Sequence, residues 1–244
     1  MKIGIYGGTF NPIHLGHLRT AEEIRQRFGL REIIFVPSAQ PPHKVSPDIV
    51  DGSHRLKMVA LAITGNPAFS VSDLEVRRGG KSYSLETLRE LKPLHPESDL
   101  AFILGLDAFL EINTWHQWEQ LFAEAEFIVT SRPGTPRVAP TKAIPEAVRK
   151  EFRHAKGAGA LGGAGARSAE LPSARALRAE GTAESLTRAT FVHTSGKTLT
   201  FTEVTGLDIS SKKLRQMVRD SVSPRYLIPR RVGEYIAEHQ LYQK

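Results

Sequence analysis

KIGIYGGTFNPIHLGHLRT, residues 2–20, decides the fold class of this chain. Its first part, residues 2–6, is short and nearly continuously apolar, which predicts a strand covered on both faces. Gly7 and Gly8 then allow a sharp turn and a close approach of the backbone to a ligand. A helix is expected to begin near Gly16, with its first N–H groups aimed back at the turn. The stretch therefore predicts a strand, a loop and a helix of the kind that binds anions.

The patterns that follow extend this unit into an α/β fold. Apolar runs rich in Ile, Val and Phe predict further strands at residues 32–36, 69–76, 100–104, 127–130 and 198–204. Amphipathic stretches predict helices at residues 17–29, 53–65, 211–221 and 229–240, the second of them capped by Ser53. Because strands alternate with helices, we expect a Rossmann-like, doubly wound parallel sheet with helices on both faces. Ligands of such sheets bind beyond the carboxyl ends of the strands.

One region departs from this alternation. Residues 135–190 carry no clear strand pattern, and residues 157–166 are Gly or Ala at nine of ten positions, too little apolar surface for a core. We interpret residues 135–199 as an Ala/Gly-rich insertion with candidate helices at 145–154 and 173–188. The chain is then a single domain, 1–244, whose core comprises residues 1–134 and 200–244.

Composition excludes several classes of protein. Among the 244 residues there is no cysteine, which excludes disulfides, thiolate nucleophiles and cysteine zinc sites. The net charge of +7 suits an anionic partner, but the basic and aromatic clustering of nucleic-acid modules is missing, so no nucleic acid is expected. No segment approaches the roughly 20 apolar residues of a membrane span, and there is no signal peptide pattern. We therefore expect a cytoplasmic protein without a membrane partner, and leave a homo-oligomer open.

Two histidines, His14 and His17, lie three residues apart at the start of the first helix. A zinc site would need further ligands at matching spacing, and Glu22 and Glu23 lie a turn or more too far along the helix. Packing or capping is the ordinary role of an isolated histidine. Both rings can face the anion site, one from the loop and one from the first turn. Phosphate binding is therefore the favoured interpretation, and no protein metal site is expected.

Further stretches point to a known family. GGTFNPIHLGH, residues 7–17, resembles the (H/T)-x-G-H signature of the nucleotidyltransferase superfamily, and in combination with others it resembles bacterial nicotinate-nucleotide adenylyltransferases. The other similar stretches are PSAQPPHK (37–44), KSYSLETL (81–88), GLDAFLEINTWHQWEQL (105–121), RPG (132–134), ISSKKLR (209–215) and RYLIPRRVGEYIAEHQLY (225–242). The resemblance covers about residues 1–134 and 200–244.

The resemblance implies a reaction and a set of site residues. The reaction is transfer of AMP from ATP to nicotinate mononucleotide, giving deamido-NAD and pyrophosphate in NAD biosynthesis, with Mg²⁺ on the ATP phosphates as cofactor. The implied catalytic residues are His14, His17, Lys44 and Arg215. The implied ATP-binding residues are Gly7, Gly8, Thr9, Phe10, His17, Gly105, Asp107, Ile209, Ser210, Ser211 and Arg215. The implied residues for nicotinate mononucleotide are Asn11, Lys44, Ser84, Trp115, His116 and Arg132.

Some positions depart from the family pattern and leave alternatives open. The family usually has Thr, Tyr and Asp where this chain has Ser84, His116 and Asn11. The same fold could act on nicotinamide mononucleotide or another acceptor, or could serve as a nucleotide-binding regulator without turnover. Asp107 is interpreted as a ribose ligand or a helix cap, and Trp115 as a stacking platform for the nicotinate ring or a core residue.

Overall fold

The protein is an α/β domain built on one sheet. Its structure, a computed structural model, describes residues 1–41, 48–132, 138–155 and 188–243. The strands are β1 Lys2–Gly8, β2 Ile33–Pro37, β3 Phe69–Val71, β4 Asp99–Gly105, β5 Glu126–Ser131, β6 Phe152–His154, β7 Ala189–His193 and β8 Thr198–Glu203. The helices are α1 Leu15–Arg27, α2 Gly52–Ile63, α3 Leu74–Arg78, α4 Ser84–Leu91, α5 Leu106–Leu110, α6 Trp118–Glu124, α7 Pro140–Ala143, α8 Glu146–Arg149, α9 Ser211–Arg219 and α10 Arg230–Glu238. Short 3-10 turns lie at Lys92–Leu94 and Ile112–Thr114.

The strand order places a crevice at the end of β1. The order is β3-β2-β1-β4-β5-β8-β7-β6. The chain moves outward from β1 through β2 and β3, and then returns to β4 on the other side of β1. All pairings from β3 to β8 are parallel, whereas β7 and β6 pair antiparallel at the edge. The doubly wound parallel sheet is confirmed for six strands, and its ligand crevice lies where β1 and β4 end.

Helices cover both faces of the sheet, as expected. Successive side chains of β2 alternate between the two core clusters, with Ile34 and Val36 on one face and Ile33 and Phe35 on the other. One cluster takes in α4, α5 and α6 through Leu85, Leu88, Phe109, Leu121 and Phe122. The other takes in α1, α2, α9 and α10 through Ile24, Met58, Leu214 and Val232. Within the described part of the chain, no helix combines the length and apolar character needed to cross a membrane.

Several local predictions are wrong. The strand expected at 69–76 ends at Val71, because the Ser72 hydroxyl accepts the N–H of Leu74 and starts α3. Helix α2 is capped by the Asp51 carboxylate, which accepts the N–H of Ser53, and not by Ser53 itself.

The region interpreted as an insertion contains strands, which corrects the expectation that residues 135–190 have none. The candidate helix at 145–154 is limited to α8, and β6 follows it and pairs with β7. This pairing joins residues about 40 positions apart in the sequence, so no local sequence pattern predicts it. Residues 173–187 of the second candidate helix lie outside the described residues. The boundaries of core and insertion stay a prediction.

Candidate active site

The loop after β1 is shaped by a buried aromatic ring. Phe10 is 3% exposed and has a positive φ of 46°. A Cβ on Gly8 would lie 2.9 Å from this ring, so the position requires glycine. The ring of Tyr6 packs edge-on against Phe10 at 5.8 Å. Phe10 therefore acts as the internal support of the loop.

His14 and His17 form a stacked pair at the start of α1. The ring centroids are 3.7 Å apart with an interplanar angle of 28°. The backbone N–H of His14 donates to Nδ1 of His17 at 3.3 Å, so a neutral His17 carries its proton on Nε2. A Cβ on Gly16 would lie 3.0 Å from Nδ1 of His14, which explains the glycine between the two histidines. The start of the helix therefore fixes the tautomer of a neutral His17 and the stacking of the two rings.

Burial keeps the imidazole of His14 neutral. The side chain is 3% exposed, and burial, with a smaller contribution from the charge of Arg132, lowers its pKa from 6.5 to about 4. Two stacked cationic rings would repel each other at this distance. A neutral His14 therefore allows the stack to persist at neutral pH.

This protonation state predicts acid-sensitive stability. Because the pKa of His14 is lower in the folded protein, the unfolded chain binds a proton first as the pH falls from 6.5 towards 4, and stability is lost in that window. The loss should be on the order of 3 kcal/mol. His14→Asn keeps a capping residue without this titration. Urea unfolding at several pH values should show a shallower acid decline for the variant, and parallel declines would contradict the assignment.

Asn11 is buried beneath the loop and binds four neighbours. Its Nδ2 donates to the carbonyl of Asp48 at 2.8 Å, and its Oδ1 accepts from the N–H of Val50 and the hydroxyl of Tyr242 at 3.3 and 2.8 Å. Arg215 Nη1 donates to the Asn11 carbonyl at 2.9 Å. At 3% exposure, its amide supports the loop and does not line the cavity. The contact with the mononucleotide expected for Asn11 from the sequence stays a prediction.

Helix α9 is fastened to the same loop. Ser210 caps the helix by accepting the N–H of Lys213 at 3.2 Å, and the Ser211 hydroxyl donates to the carbonyl of Pro12 at 2.9 Å. Ile209, just before the helix, is buried in the core. Both serines thus hold the helix in place, and the expectation that they bind ATP rests on the N–H groups of the helix start.

Arg215 points from α9 towards the loop. Besides its bond to Asn11, its Nη2 lies 3.7 Å from the Asp48 carboxylate. Its Nε is buried and has no hydrogen-bond partner among the described residues. A buried donor of this kind is costly unless a ligand satisfies it, which marks Arg215 as a candidate anion contact.

A cavity of about 380 Å³ opens at the carboxyl ends of β1 and β4. It joins the glycine turn to the first turn of α5, to the residues before and at the start of α4, and to the residues before α6. The sequence-predicted site residues that line it are Gly7, Gly8, Thr9, Ser84, Gly105, Asp107, Trp115 and His116. The exposed carboxylate of Asp107 lies directly against Gly105, where a Cβ would overlap it. Residues from three separate motifs therefore meet in one place.

Aromatic rings form one side of this cavity. Trp115 packs edge-on against Phe102 at 6.4 Å and is half-buried, so it belongs to both the core and the cavity wall. His116 lies 4.5 Å from the ring of Tyr83 at an angle of 34°. Trp118 packs against Phe122 and does not line the cavity. Of the two tryptophans, Trp115 is the one placed to meet a ligand.

Of the two remaining predicted residues, the structure describes Arg132 but not Lys44. The charge of Arg132 acts to lower the pKa of both Tyr6 and His14, which indicates that Arg132 lies near these two side chains. Burial raises the pKa of Tyr6 to about 12, which keeps this phenol neutral. Lys44 lies outside the described residues.

Sequence reasoning missed Arg55, a buried cation that connects three segments. It is 1% exposed and donates to the carbonyls of Val50, Thr9 and Ala39 at 2.9, 2.9 and 2.7 Å. Burial lowers its pKa, yet arginine stays charged in proteins. A signal was present, since Arg55 shares the buried face of α2 with Met58. A charged residue on an apolar stripe usually has fixed partners.

Comparisons with known proteins identify the family of this chain. The family model described as cytidylyltransferase-like matches residues 5–217. A protein of Trichlorobacter lovleyi, named a probable nicotinate-nucleotide adenylyltransferase, is 40% identical over 243 residues, which cover 100% of both chains. Another of that name, from Geotalea uraniireducens, is 40% identical over 99% of this chain and 98% of its own. The chain belongs to the nicotinate-nucleotide adenylyltransferase family.

Solved structures share the fold of this adenylyltransferase family member. The nicotinic acid mononucleotide adenylyltransferase of Plasmodium falciparum, complexed with NaAD, has a TM-score of 0.65 and 20% identity, covering 99% of this chain and 97% of its own. The same enzyme complexed with APC has a TM-score of 0.62 and 19% identity, covering 99% and 96%. At this identity the likeness establishes the architecture, while the sequence relatives establish the family.

Proposed function

We propose that this chain transfers AMP from ATP to nicotinate mononucleotide, forming deamido-NAD and pyrophosphate in NAD biosynthesis. One observation carries the proposal: the stacked histidine pair at the start of α1 lies close to the aromatic-walled cavity, since Tyr6 of β1 lines the cavity and its ring lies 6.4 Å from that of His17. The first suits a triphosphate and the second suits a flat ring on a ribose phosphate. The names of the relatives and their identity over the full chain support the same reaction.

The chemistry needs no nucleophile from the protein. An oxygen of the mononucleotide phosphate attacks the α-phosphorus of ATP and forms the new P–O bond. The bond from the α-phosphorus to the bridging oxygen breaks, and pyrophosphate leaves with its electron pair. The attacking phosphate is already anionic, so no general base is required. Catalysis then consists of alignment of the two nucleotides and stabilisation of charge on the phosphoryl oxygens.

The ATP side is assigned to the loop after β1 and the starts of α1 and α9. His17 donates through Nε2–H to an oxygen of the α-phosphate, while neutral His14 orients it by stacking. Arg215 and Lys44 neutralise the β- and γ-phosphates and the leaving pyrophosphate. Asp107, exposed at the mouth of the cavity, accepts from a ribose hydroxyl. The backbone at Gly7, Gly8, Thr9 and Phe10 gives the phosphates a close approach.

The acceptor side is assigned to the aromatic wall. Trp115 stacks on the nicotinate ring, and the N–H groups near Ser84 and His116 receive its carboxylate. Arg132, the residue after β5, is assigned to the phosphate of the mononucleotide.

We propose that a Mg²⁺ ion arrives with ATP as the cofactor. No group of three or more metal-ligating side chains exists among the described residues. Such an ion keeps most of its waters and binds through phosphate oxygens, and it would neutralise charge on the leaving pyrophosphate. We also propose that the enzyme works in the cytoplasm.

The proposal predicts a defined product with each acceptor. Purified protein with ATP and Mg²⁺ is incubated with nicotinate mononucleotide or with nicotinamide mononucleotide, and pyrophosphate and dinucleotide are measured. We expect equal amounts of pyrophosphate and deamido-NAD, with the higher kcat/KM for the nicotinate acceptor. A higher kcat/KM for the nicotinamide acceptor would overturn the choice of substrate, and no dinucleotide from either would overturn the enzyme.

A further inference from the structure

A buried carboxyl group lies in the cavity wall without a role in the reaction described above. Glu75, in α3, is 6% exposed and lines the cavity next to Ser82, Tyr83 and Ser84. We call residues 82–84 the acceptor wall, since Ser84 is assigned to the acceptor. A carboxylate with this degree of burial needs hydrogen-bond donors to remain there. The identity of those donors indicates what Glu75 does.

Two hydroxyl groups hold the carboxyl group of Glu75. Thr87, in α4, donates from Oγ1 to Oε1 at 2.6 Å, and the hydroxyl of Ser82 also hydrogen-bonds to it. Arg78 in turn donates from Nη2 to Thr87 Oγ1 at 3.2 Å. Glu75 therefore connects α3 both to the start of α4, through Thr87, and to Ser82, the first residue of the acceptor wall.

The same serine carries this connection to the loop after β2. The N–H of Ala39 donates to Ser82 Oγ at 2.8 Å, and the N–H of Ser82 donates to the carbonyl of Gln40 at 3.0 Å. The carbonyl of Ala39 is held from the opposite side by Arg55, which also binds Thr9 in the phosphate loop. A continuous chain of hydrogen bonds thus runs from Glu75 to the phosphate loop. The acceptor wall lies at the Glu75 end of this chain of hydrogen bonds.

The acceptor wall also contacts the aromatic side of the cavity. The ring of Tyr83 lies 4.5 Å from that of His116, and Ser84 is the first residue of α4. A displacement of Ser82 would therefore move both the neighbour of His116 and the N–H groups at the helix start. None of the contacts in this series involves the histidine pair or Arg215.

We propose that Glu75 is a positioning residue that fixes the acceptor wall for nicotinate mononucleotide and affects the ATP side less, because it reaches Thr9 only through Ser82, Ala39 and Arg55. The inference rests on the proposed function, because the acceptor is the one assigned there. Glu75 touches neither nucleotide in this scheme. It acts through Ser82 and Thr87, because its carboxylate accepts hydrogen bonds from their hydroxyl groups.

The proposal has a pH signature. Burial raises the pKa of Glu75, while Arg78 from α3 and Glu90 from α4 act in opposite directions and the cationic Arg55 lies nearby. Protonation turns an acceptor for two hydroxyl groups into a poorer one, so the acceptor wall loosens on the acid side. As the pH is lowered, acceptor binding should therefore begin to weaken at a higher pH than the ordinary pKa of a glutamate would give.

Glu75→Gln tests this directly. The amide has the same shape but presents N–H groups to Ser82 or Thr87, so the KM for nicotinate mononucleotide should rise about tenfold, as the loss of one buried hydrogen bond does. The KM for ATP should change less than about twofold. The acid limb in kcat/KM for the acceptor should shrink in the variant. Equal rises in both KM values, or an unchanged acid limb, would overturn the proposal.

Matched variants separate positioning from a loss of folding. Asp73→Asn removes an exposed carboxylate two residues before Glu75 that makes no capping bond, and should leave both KM values unchanged. Ser82→Ala removes the linking hydroxyl and should reproduce the rise for the acceptor, even where Glu75→Gln does not fold. Wild-type protein that makes no dinucleotide contradicts the proposed function. Active wild type with an unaffected Ser82→Ala variant contradicts only the role of Glu75.

Discussion

Replacement of His17 by alanine is expected to lower kcat about 10²- to 10³-fold while changing the KM for ATP little. The imidazole is assigned a contact with the α-phosphate that strengthens as charge develops there, and removal of one such preorganised donor has an effect of this size. The tautomer that exposes the Nε2 proton is set by the bond from the His14 N–H to Nδ1. Steady-state kinetics with ATP varied at saturating acceptor measure both constants.

Two variants frame the His17 result. His17→Asn retains an N–H donor near the same place and should recover part of the lost rate. His95→Ala removes a histidine beyond the turn Lys92–Leu94, before β4 begins and away from the carboxyl ends of the strands, and should match wild type. A kcat within about threefold of wild type for His17→Ala would remove this residue from the mechanism.

Replacement of Arg215 by alanine is the second large effect that we expect. The guanidinium holds the Asn11 carbonyl, lies near Asp48, and has a buried Nε without a partner among the described residues. Loss of this cation should lower kcat/KM for ATP about 10²-fold, through both a weaker triphosphate site and a less fixed loop. Initial rates across a range of ATP concentrations give this ratio.

Arg215→Lys keeps the charge but not the planar fork, so its activity should fall between alanine and wild type. Lys213→Ala removes a cation from the same helix, one that pairs with Asp208 at the exposed surface, and serves as the matched control. Equal losses for Lys213→Ala and Arg215→Ala would mean that general positive charge on α9 matters, and not the placement of Arg215.

The parts of the fold with a local signal could be predicted from the sequence. Strands β1, β4 and β5 are short apolar runs because they are buried on both faces, and this composition is visible without any partner. The crevice followed from the rule that parallel strands present ligands at their carboxyl ends. The convergence of Gly7, Asp107 and Trp115 in one cavity agrees with that rule.

The parts of the fold and of the site that depend on partners distant in the sequence could not be predicted. Strand β6 has three residues and exists through its pairing with β7, and α3 begins where a strand was expected because Ser72 competes with the sheet for a backbone N–H. Arg55, Glu75 and Tyr242 were overlooked because each acts on the site through groups of other segments. Arg55 binds backbone carbonyls, Glu75 binds hydroxyl groups, and Tyr242 binds the Asn11 amide. Charged residues at core positions were the available signal for the first two.

The central claim is that the α-phosphorus of ATP becomes bonded to the phosphate of nicotinate mononucleotide. Incubation of the protein with Mg²⁺, nicotinate mononucleotide and ATP labelled at the α-phosphate tests this most directly. The account predicts that the label moves into deamido-NAD and that none is found in pyrophosphate. Label that stays in ATP, or that appears in ADP or AMP without dinucleotide, would contradict it.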